Sequence, residues 1–193
     1  MLPLNHDWSA SDRAWALDYC REIAEAMADY LASDTLFVTL SLTYHGGLAQ
    51  GSIGAFLEYR ARLEAGDLTG DEDLSLTGSV SQFELARQRQ EEGFQRKVEK
   101  ELRSLLNTWA WFLDECAGDL QNCAHDYPHQ VWRRSRIHAL QQVAPALPES
   151  LARRLASLDE RLRGLLRSEG FVWEATVRKY YPPEEFWWLY RQP

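Results

Sequence analysis

The sequence predicts an all-α protein: a bundle of five or six helices with one long helix, and room for a minor two-stranded β element. Between Ser79 and Asp119 the chain has no proline, and apolar residues recur three or four positions apart, which places them on one face of a helix. The chain has 193 residues, an ordinary length for one domain, so we expect a single helical domain over residues 1–193. The apolar stripe consists of Phe94, Val98, Leu102, Leu105, Trp109, Phe112 and Cys116.

The first helix is predicted over residues 11–33. Ser9 and Asp12 have the spacing of a capping box at its start. This pattern indicates an amphipathic helix with one buried face. The apolar positions of that face are Trp15, Tyr19, Ile23, Met27 and Tyr30.

The middle of the chain predicts a second helix, a loop and a weak point in the long helix. The second helix covers residues 55–65, and Gly66 ends it. The acidic, glycine-containing segment 67–78 is expected to be a mobile surface loop, and a division of the chain would fall there. Gly93 is expected to kink or break the long helix, because glycine weakens a helix interior by up to about 1 kcal/mol.

Two further helices are predicted in the last third of the chain. Pro128 can begin one that ends near Ala144. The other covers residues 149–168 and has a leucine at every third or fourth position, which is typical of antiparallel packing inside a bundle. These leucines are Leu151, Leu155, Leu158, Leu162 and Leu165.

One segment, Thr35–Tyr44, favours a strand because it is rich in β-branched and aromatic residues that partly alternate. A strand requires a partner for its main-chain groups. The comparable segment is Phe171–Tyr181. The segment therefore forms either a helix against its propensity or a strand, in which case residues 36–44 are expected to pair with residues 171–180.

Charge and cysteine content narrow the classes of partner and compartment. The net charge of −8 argues against nucleic-acid binding, which depends on Lys and Arg. The sequence has no signal-peptide pattern and no apolar run of the roughly 18 residues that a membrane span requires. We therefore expect a cytoplasmic protein without a membrane partner. In that compartment Cys20, Cys116 and Cys123 are expected to be reduced thiols, with a Cys116–Cys123 disulfide as the less favoured alternative.

The loop from Gly46 to Gly54 has the layout of a dinucleotide-binding turn, since a strand-like run precedes it and a helix follows. The spacing of Gly47, Gly51 and Gly54 is G-x3-G-x2-G, however, and no Lys-Ser or Lys-Thr follows. A flexible helix entry or a close approach of two helices is the favoured interpretation. The sequence leaves open whether this loop binds anything.

The histidines suggest a metal site as an alternative function. His125 and His129 are four residues apart, a spacing that is similar to that of helical bundles with three histidine metal ligands, and His45 could supply the third ligand. Pro128 lies between the pair, so we expect the helix to begin after His125 and the shared face to be lost. The alternative function is therefore that of a metal-dependent helical-bundle enzyme with a three-histidine site, and a divalent metal is a cofactor of this alternative only.

The leading function predicted is that of a non-enzymatic protein that binds a protein partner or associates with its own copy. Its surfaces are expected to be the charged half of the long helix and the aromatic C-terminal tail, residues 182–193. The candidate partner-binding residues are Phe83, Phe94, Phe186, Trp187, Trp188 and Tyr190. A further alternative is a small-ligand pocket lined by Trp109, Trp132 and Trp173.

Overall fold

The computed structural model describes residues 2–144 and 147–193. It confirms the predicted fold class, because the chain is mainly helical with small two-stranded β elements. In these residues the α-helices are α1 (Ala10–Ala32), α2 (Ile53–Glu64), α3 (Gly70–Arg89), α4 (Glu91–Gly118), α5 (Leu120–Gln130), α6 (Trp132–Val143) and α7 (Glu149–Leu165). No helix in the described ranges is long and apolar enough to cross a membrane.

The contacts of the chain fall into two compact units. The first contains Leu2 and Trp8–Glu101, and the second contains Pro3–Asp7 and Leu102–Pro193. The boundary therefore lies inside α4, and the expected division at residues 67–78 is wrong. That the two units form a single domain stays a prediction.

The segment expected to be a mobile loop is the start of α3. The Thr69 hydroxyl accepts the main-chain N–H of Glu72, and the Glu72 carboxylate accepts the main-chain N–H of Thr69. This capping box satisfies two of the donors that a helix start leaves without a partner. The three acidic residues that made the segment resemble a loop, Asp71, Glu72 and Asp73, occupy the first turn, where the helix dipole favours negative charge.

The long helix predicted from the apolar stripe is interrupted at Gln90, which separates α3 from α4. The side-chain amide of Gln90 donates to the main-chain oxygen of Ala28, 2.9 Å away. A Cβ atom added to Gly93 would lie 2.8 Å from the main-chain oxygen of Leu31. Gly93 therefore permits a close approach of α4 to α1, and the break lies three residues before the glycine instead of at it.

The burial of the predicted helix faces agrees with the periodicity of the sequence. All seven residues of the apolar stripe are buried. In α7, Leu151, Leu155, Leu158 and Leu162 are buried, and Leu165 is partly exposed. The helical spacing therefore identified the faces that pack, although it did not identify where the long helix breaks.

The predicted pairing of residues 36–44 with residues 171–180 is wrong. Strand β1 (Val38–Ser41) pairs antiparallel with β2 (Leu48–Gly51), with Leu40 opposite Ala49. Residues Ala175–Tyr180 form a 3-10 helix. A partner a few residues away is favoured because closing a short loop costs less conformational entropy than closing a long one.

A second small ladder and a second 3-10 helix belong to the end of the chain. Strand β3 (Ser168–Glu169) pairs antiparallel with β4 (Arg191–Gln192). Between them, Trp187–Leu189 form a short 3-10 helix. The last residues of the chain are thus tied to the segment that follows α7.

The predicted helix start at Pro128 is wrong, because α5 begins at Leu120 and contains Pro128. The Asp119 carboxylate caps α5 and accepts the main-chain N–H groups of Gln121 and Asn122, each at 3.1 Å.

Cys116 and Cys123 form a disulfide across the junction between α4 and α5, so the expectation that both are reduced thiols is wrong. Cys20 is a free, buried cysteine. The cytoplasmic location stays a prediction.

Candidate functional site

The hairpin formed by β1 and β2 in the first unit combines a fixed geometry with exposed apolar side chains. Its turn contains Gly46 and Gly47, with φ values of 67° and 85°, a conformation that glycine adopts without steric cost. The main-chain N–H of Leu42 donates to the oxygen of Gly47 at 3.1 Å. The glycine loop singled out in the sequence is therefore the end of a hairpin.

A buried carboxylate on α1 holds the turn. Asp18 is only 2% exposed, and its Oδ2 atom accepts the main-chain N–H groups of Tyr44 and His45 at 3.0 and 3.1 Å. The ring Nδ1 atom of His45 lies 3.3 Å from the same oxygen. Arg21 forms a salt bridge with the other carboxylate oxygen. One carboxylate thus fixes two consecutive residues of the turn.

A second carboxylate on α1 contacts the residue before Tyr44. Glu22 accepts a hydrogen bond from the side chain of Thr43, which lowers the pKa of Glu22, although burial acts in the opposite direction. Arg21 also donates to Glu22 at 3.0 Å. Because Asp18 and Glu22 are four residues apart, they lie on one face of α1, and together they hold three consecutive residues of the turn.

The hairpin presents two large side chains with apolar surface to solvent, one in the turn and one at the start of β2. Tyr44 is 76% exposed and Leu48 is 77% exposed. The guanidinium carbon of Arg21 lies 4.2 Å from the centre of the Tyr44 ring, a cation–π contact that limits the motion of the ring. Exposed apolar side chains on a held loop are typical of binding surfaces.

The outer edge of β1 is open. Hydrogen bonding alternates along an antiparallel pair, and the bond between Leu42 and Gly47 implies that the main-chain groups of Thr39 and Ser41 face away from β2. Within the described residues, this sheet contains β1 and β2 only. On the other strand, the Tyr19 hydroxyl donates to the oxygen of Gln50 at 3.1 Å. The free edge of the hairpin is therefore that of β1.

Two buried charged residues of α4 fix the two ends of the hairpin. The Lys97 ammonium donates to the Ser33 hydroxyl at 3.0 Å and to the main-chain oxygen of Thr35, just before β1. The Glu101 carboxylate accepts the Ser52 hydroxyl at 2.8 Å and the main-chain N–H of Gly54 at 3.1 Å, just after β2. Burial and the neighbouring charge of Lys100 lower the pKa of Lys97.

The position of Glu101 bears on whether the loop from Gly46 to Gly54 could bind a dinucleotide. The start of α2 is where a phosphate would bind in a dinucleotide-binding turn, and in this protein a carboxylate of the same chain occupies it. At Gly51, an added Cβ atom would lie 2.6 Å from Ile23 and 2.7 Å from Val38. This glycine therefore permits close packing of β2 against α1 and β1, whereas the sequence favoured a flexible helix entry or a close approach of two helices.

The candidate partner-binding residues do not form one accessible surface. Phe83 and Phe94 are buried in the first unit, where Phe83 stacks on Phe56 with ring centres 4.1 Å apart. Trp188 is buried as well. The assignment of these three side chains to a partner surface is therefore wrong in this fold, because packing has already removed them from solvent.

Trp188 anchors the aromatic tail within the second unit. Its indole N–H donates to the Ser135 hydroxyl at 3.0 Å, and its main-chain oxygen accepts the Tyr127 hydroxyl at 2.7 Å. The Arg134 guanidinium lies 3.9 Å from the indole centre and forms a buried, two-bond ion pair with Asp159 at 2.7 and 2.9 Å. The tail is therefore a docked structural segment.

The other three tail residues are partly exposed. Phe186, Trp187 and Tyr190 each keep part of their surface in contact with solvent. The Arg163 guanidinium lies 4.2 Å from the ring of Trp187, and the Tyr190 hydroxyl donates to the main-chain oxygen of Tyr181. These contacts hold the rings of Trp187 and Tyr190. A role in partner binding stays a prediction for all three residues.

The three tryptophans of the predicted ligand pocket have different surroundings. Trp109 is fully buried against Phe112, and the indole N–H of Trp173 donates to the main-chain oxygen of Pro128. The guanidinium carbons of two arginines lie 4.9 and 4.5 Å from the centre of the Trp132 ring. A cleft of about 230 Å³ does lie beside the disulfide, but none of the three lines it. Its lining consists of Phe112, Glu115, Cys116, Asp119, Asn122, Cys123 and Asp126.

The three histidines do not form a metal site in this structure. No group of three or more His, Cys, Asp or Glu side chains in the described residues could hold a metal ion. His45 lies beside Asp18 in the hairpin turn, whereas His125 and His129 are both on α5. The expectation that the helix begins after His125 is wrong, yet the shared helix does not create a site.

Comparisons of this chain with protein-family models, with curated proteins and with solved structures found no match. The site is therefore defined by its own geometry. Sequence reasoning missed Asp18, Tyr44 and Leu48. The one signal for them was an acidic residue inside the run Ala16–Cys20, otherwise apolar, because a charge at a buried position requires partners.

Proposed function

We propose that this protein is a protein-interaction module whose hairpin binds an extended segment of a partner protein. The observation that supports this most directly is the buried carboxylate of Asp18, which holds the turn while Tyr44 and Leu48 are exposed. A loop that is already ordered loses less conformational entropy when it binds. Tyrosine is also among the residues that contribute most to binding energy at protein interfaces.

The open edge of β1 favours an extended partner over a helical one. An added strand could form main-chain hydrogen bonds with Thr39 and Ser41, which is the mechanism of β-strand addition. Alternate side chains of that strand would lie on the exposed face of the hairpin, where Phe37 is partly exposed and Leu48 is accessible. The expected partner is therefore a segment with apolar side chains at every second position.

A displayed library of random peptides, selected on the full-length protein, tests this proposal. We expect the selected peptides to share alternating apolar residues. Tyr44→Ala should weaken their binding by about tenfold or more, the effect of an interface hot spot. Thr39→Pro should weaken it as well, because proline removes an outward-facing N–H and is tolerated at a strand edge.

Leu120→Ala is the matched control, since Leu120 is an exposed apolar residue of the second unit. It should leave the affinities unchanged, and circular dichroism should show that all variants remain folded. Peptides that bind the Tyr44→Ala and Thr39→Pro variants as tightly as the original protein would refute the proposal. Selection that yields no alternating apolar sequence would refute it too.

A further inference from the structure

Helix α3 has an exposed apolar face opposite its packed face. Leu74 is 71% exposed and Leu85 is 46% exposed. They are eleven residues apart, which is close to three helical turns, so both side chains lie on one line along the helix. The opposite face is buried and consists of Leu76, Ser79, Phe83 and Ala86.

Two small residues lie between the two leucines on this line. Gly78 and Ser81 lie on the same line, and a Cβ atom added to Gly78 would have no atom within 4 Å. Small residues at the centre of a helix face allow a second helix to approach to the short end of the usual 8–10 Å range. The order along the face is thus leucine, small, small, leucine.

This order is the same in both directions along the helix. If a second copy of α3 packs antiparallel, with the two-fold axis near residues 79 and 80, Leu74 of each copy faces Leu85 of the other. Gly78 of each copy then faces Ser81 of the other. Such self-complementarity is what a two-fold symmetric interface requires.

The charges of α3 select the antiparallel arrangement. The first turn contains Asp71, Glu72 and Asp73, and the last turn contains Arg87 and Arg89. Asp71 and Arg89 are eighteen residues apart, or five turns, so they lie together at one border of the exposed face. In an antiparallel pair, Asp71 of each copy lies near Arg89 of the other, whereas a parallel pair would bring like charges together.

We propose that the exposed face of α3 is a homodimer interface, and that its occupant is the α3 helix of a second copy of this chain. The apolar surface of Leu74 and Leu85 is buried in the dimer. The Asp71–Arg89 contacts occur twice because of the symmetry, and they set the register. This surface is separate from the exposed residues of the hairpin, so dimerisation and peptide binding can be tested independently.

Charge reversal tests the proposal with the full-length protein in analytical ultracentrifugation at low salt. Wild type should dimerise as its concentration rises. Asp71→Arg and Arg89→Asp should each weaken dimerisation by about tenfold or more, because each converts both contacts into repulsions. An equimolar mixture of the two variants should dimerise again, since both contacts of the mixed dimer are attractive.

The variant that carries both reversals should also dimerise like wild type. High salt should reduce the difference between wild type and the single variants, because it screens exposed charges. Leu74→Glu combined with Leu85→Glu should be monomeric at every salt concentration. The charge reversals oppose the helix dipole of α3 and should lower the thermal midpoint of the monomer slightly, whereas Leu74→Glu combined with Leu85→Glu should leave it nearly unchanged because both side chains are exposed.

A monomeric wild type over the whole concentration range would overturn the proposal. So would a mixture of the two single variants that stays monomeric while wild type dimerises, because that outcome places the dimer contact on another surface. Peptides selected on the hairpin should bind the α3 variants with unchanged affinity. A loss of peptide binding alone would therefore contradict the proposed function and leave the α3 dimer unaffected.

Discussion

Replacement of Asp18 is the sharpest perturbation of the hairpin. This carboxylate accepts two main-chain N–H groups, from Tyr44 and His45, in addition to its contacts with Arg21 and the His45 ring. A hydrogen bond to a charged group contributes about 1.5–3 kcal/mol net. Loss of the two main-chain bonds in Asp18→Ala should therefore destabilise the closed turn by about 3–5 kcal/mol.

The assay is amide hydrogen exchange measured by NMR at Tyr44 and His45, because the turn can open without global unfolding. A loss of 3 kcal/mol corresponds to an increase of about a hundredfold in the local opening constant. Asp18→Asn should have a smaller effect, because one oxygen accepts both main-chain N–H groups and the amide oxygen of Asn can still do so without the negative charge. Urea unfolding of the same variants separates local opening from a loss of global stability.

Asp29→Asn is the control, because Asp29 is an exposed acidic residue on the same helix. Its stability should stay within about 0.5 kcal/mol of wild type. The reasoning is refuted if the amides of Tyr44 and His45 exchange as slowly in Asp18→Ala as in wild type. That result would mean that the turn is held without Asp18, by its glycines, its strand ladder and the contact between Glu22 and Thr43.

Three further predictions concern packing, pH and the disulfide. Gly93→Ala should destabilise the protein by about 1–3 kcal/mol in urea unfolding, because its methyl group would collide with main-chain atoms, whereas Gly164→Ala, which meets open space, should not. Burial and the charge of a nearby arginine lower the pKa of His138 from its usual 6.5. The unfolded chain therefore takes up the proton at a higher pH than the folded protein does, and the free energy of unfolding should fall as the pH drops below about 6.5. His138→Gln should remove this dependence, and a variant with the same pH profile of stability as wild type would contradict the prediction. Replacement of Cys116 and Cys123 by serine should cost about 2.5 kcal/mol, since the disulfide closes a short loop, and native mass spectrometry that finds both thiols free would contradict the pairing.

Much of the fold could be predicted because helical periodicity is local information. The capping box of Ser9 and Asp12 and the stripe from Phe94 to Cys116 both occur as expected. The α3 segment was missed because its acidic, glycine-containing start resembles a loop in composition. The feature that distinguishes a helix start from a loop in this segment is the capping box, and the spacing of Thr69 and Glu72 was its available signal.

The candidate site could not be predicted because its parts are far apart in the sequence. Asp18 and Tyr44 are separated by 26 residues, and Glu101 contacts a residue 49 positions before it. A sequence pattern reports which residues share a face, but it does not report which faces meet. The glycine loop was recognised, and its function as a hairpin turn depended on a strand partner that propensity alone did not reveal.

The sequence by itself determined the fold class and most of the buried helix faces, because the spacing of apolar residues fixes which side of a helix avoids water. Only the tertiary structure decided the break at Gln90, the partner of β1 and the pairing of Cys116 with Cys123. It also decided that Trp188 is an anchor inside the second unit and that Tyr44 is exposed. Each of these outcomes depends on which distant groups come into contact, and that is set by the packing of the whole chain.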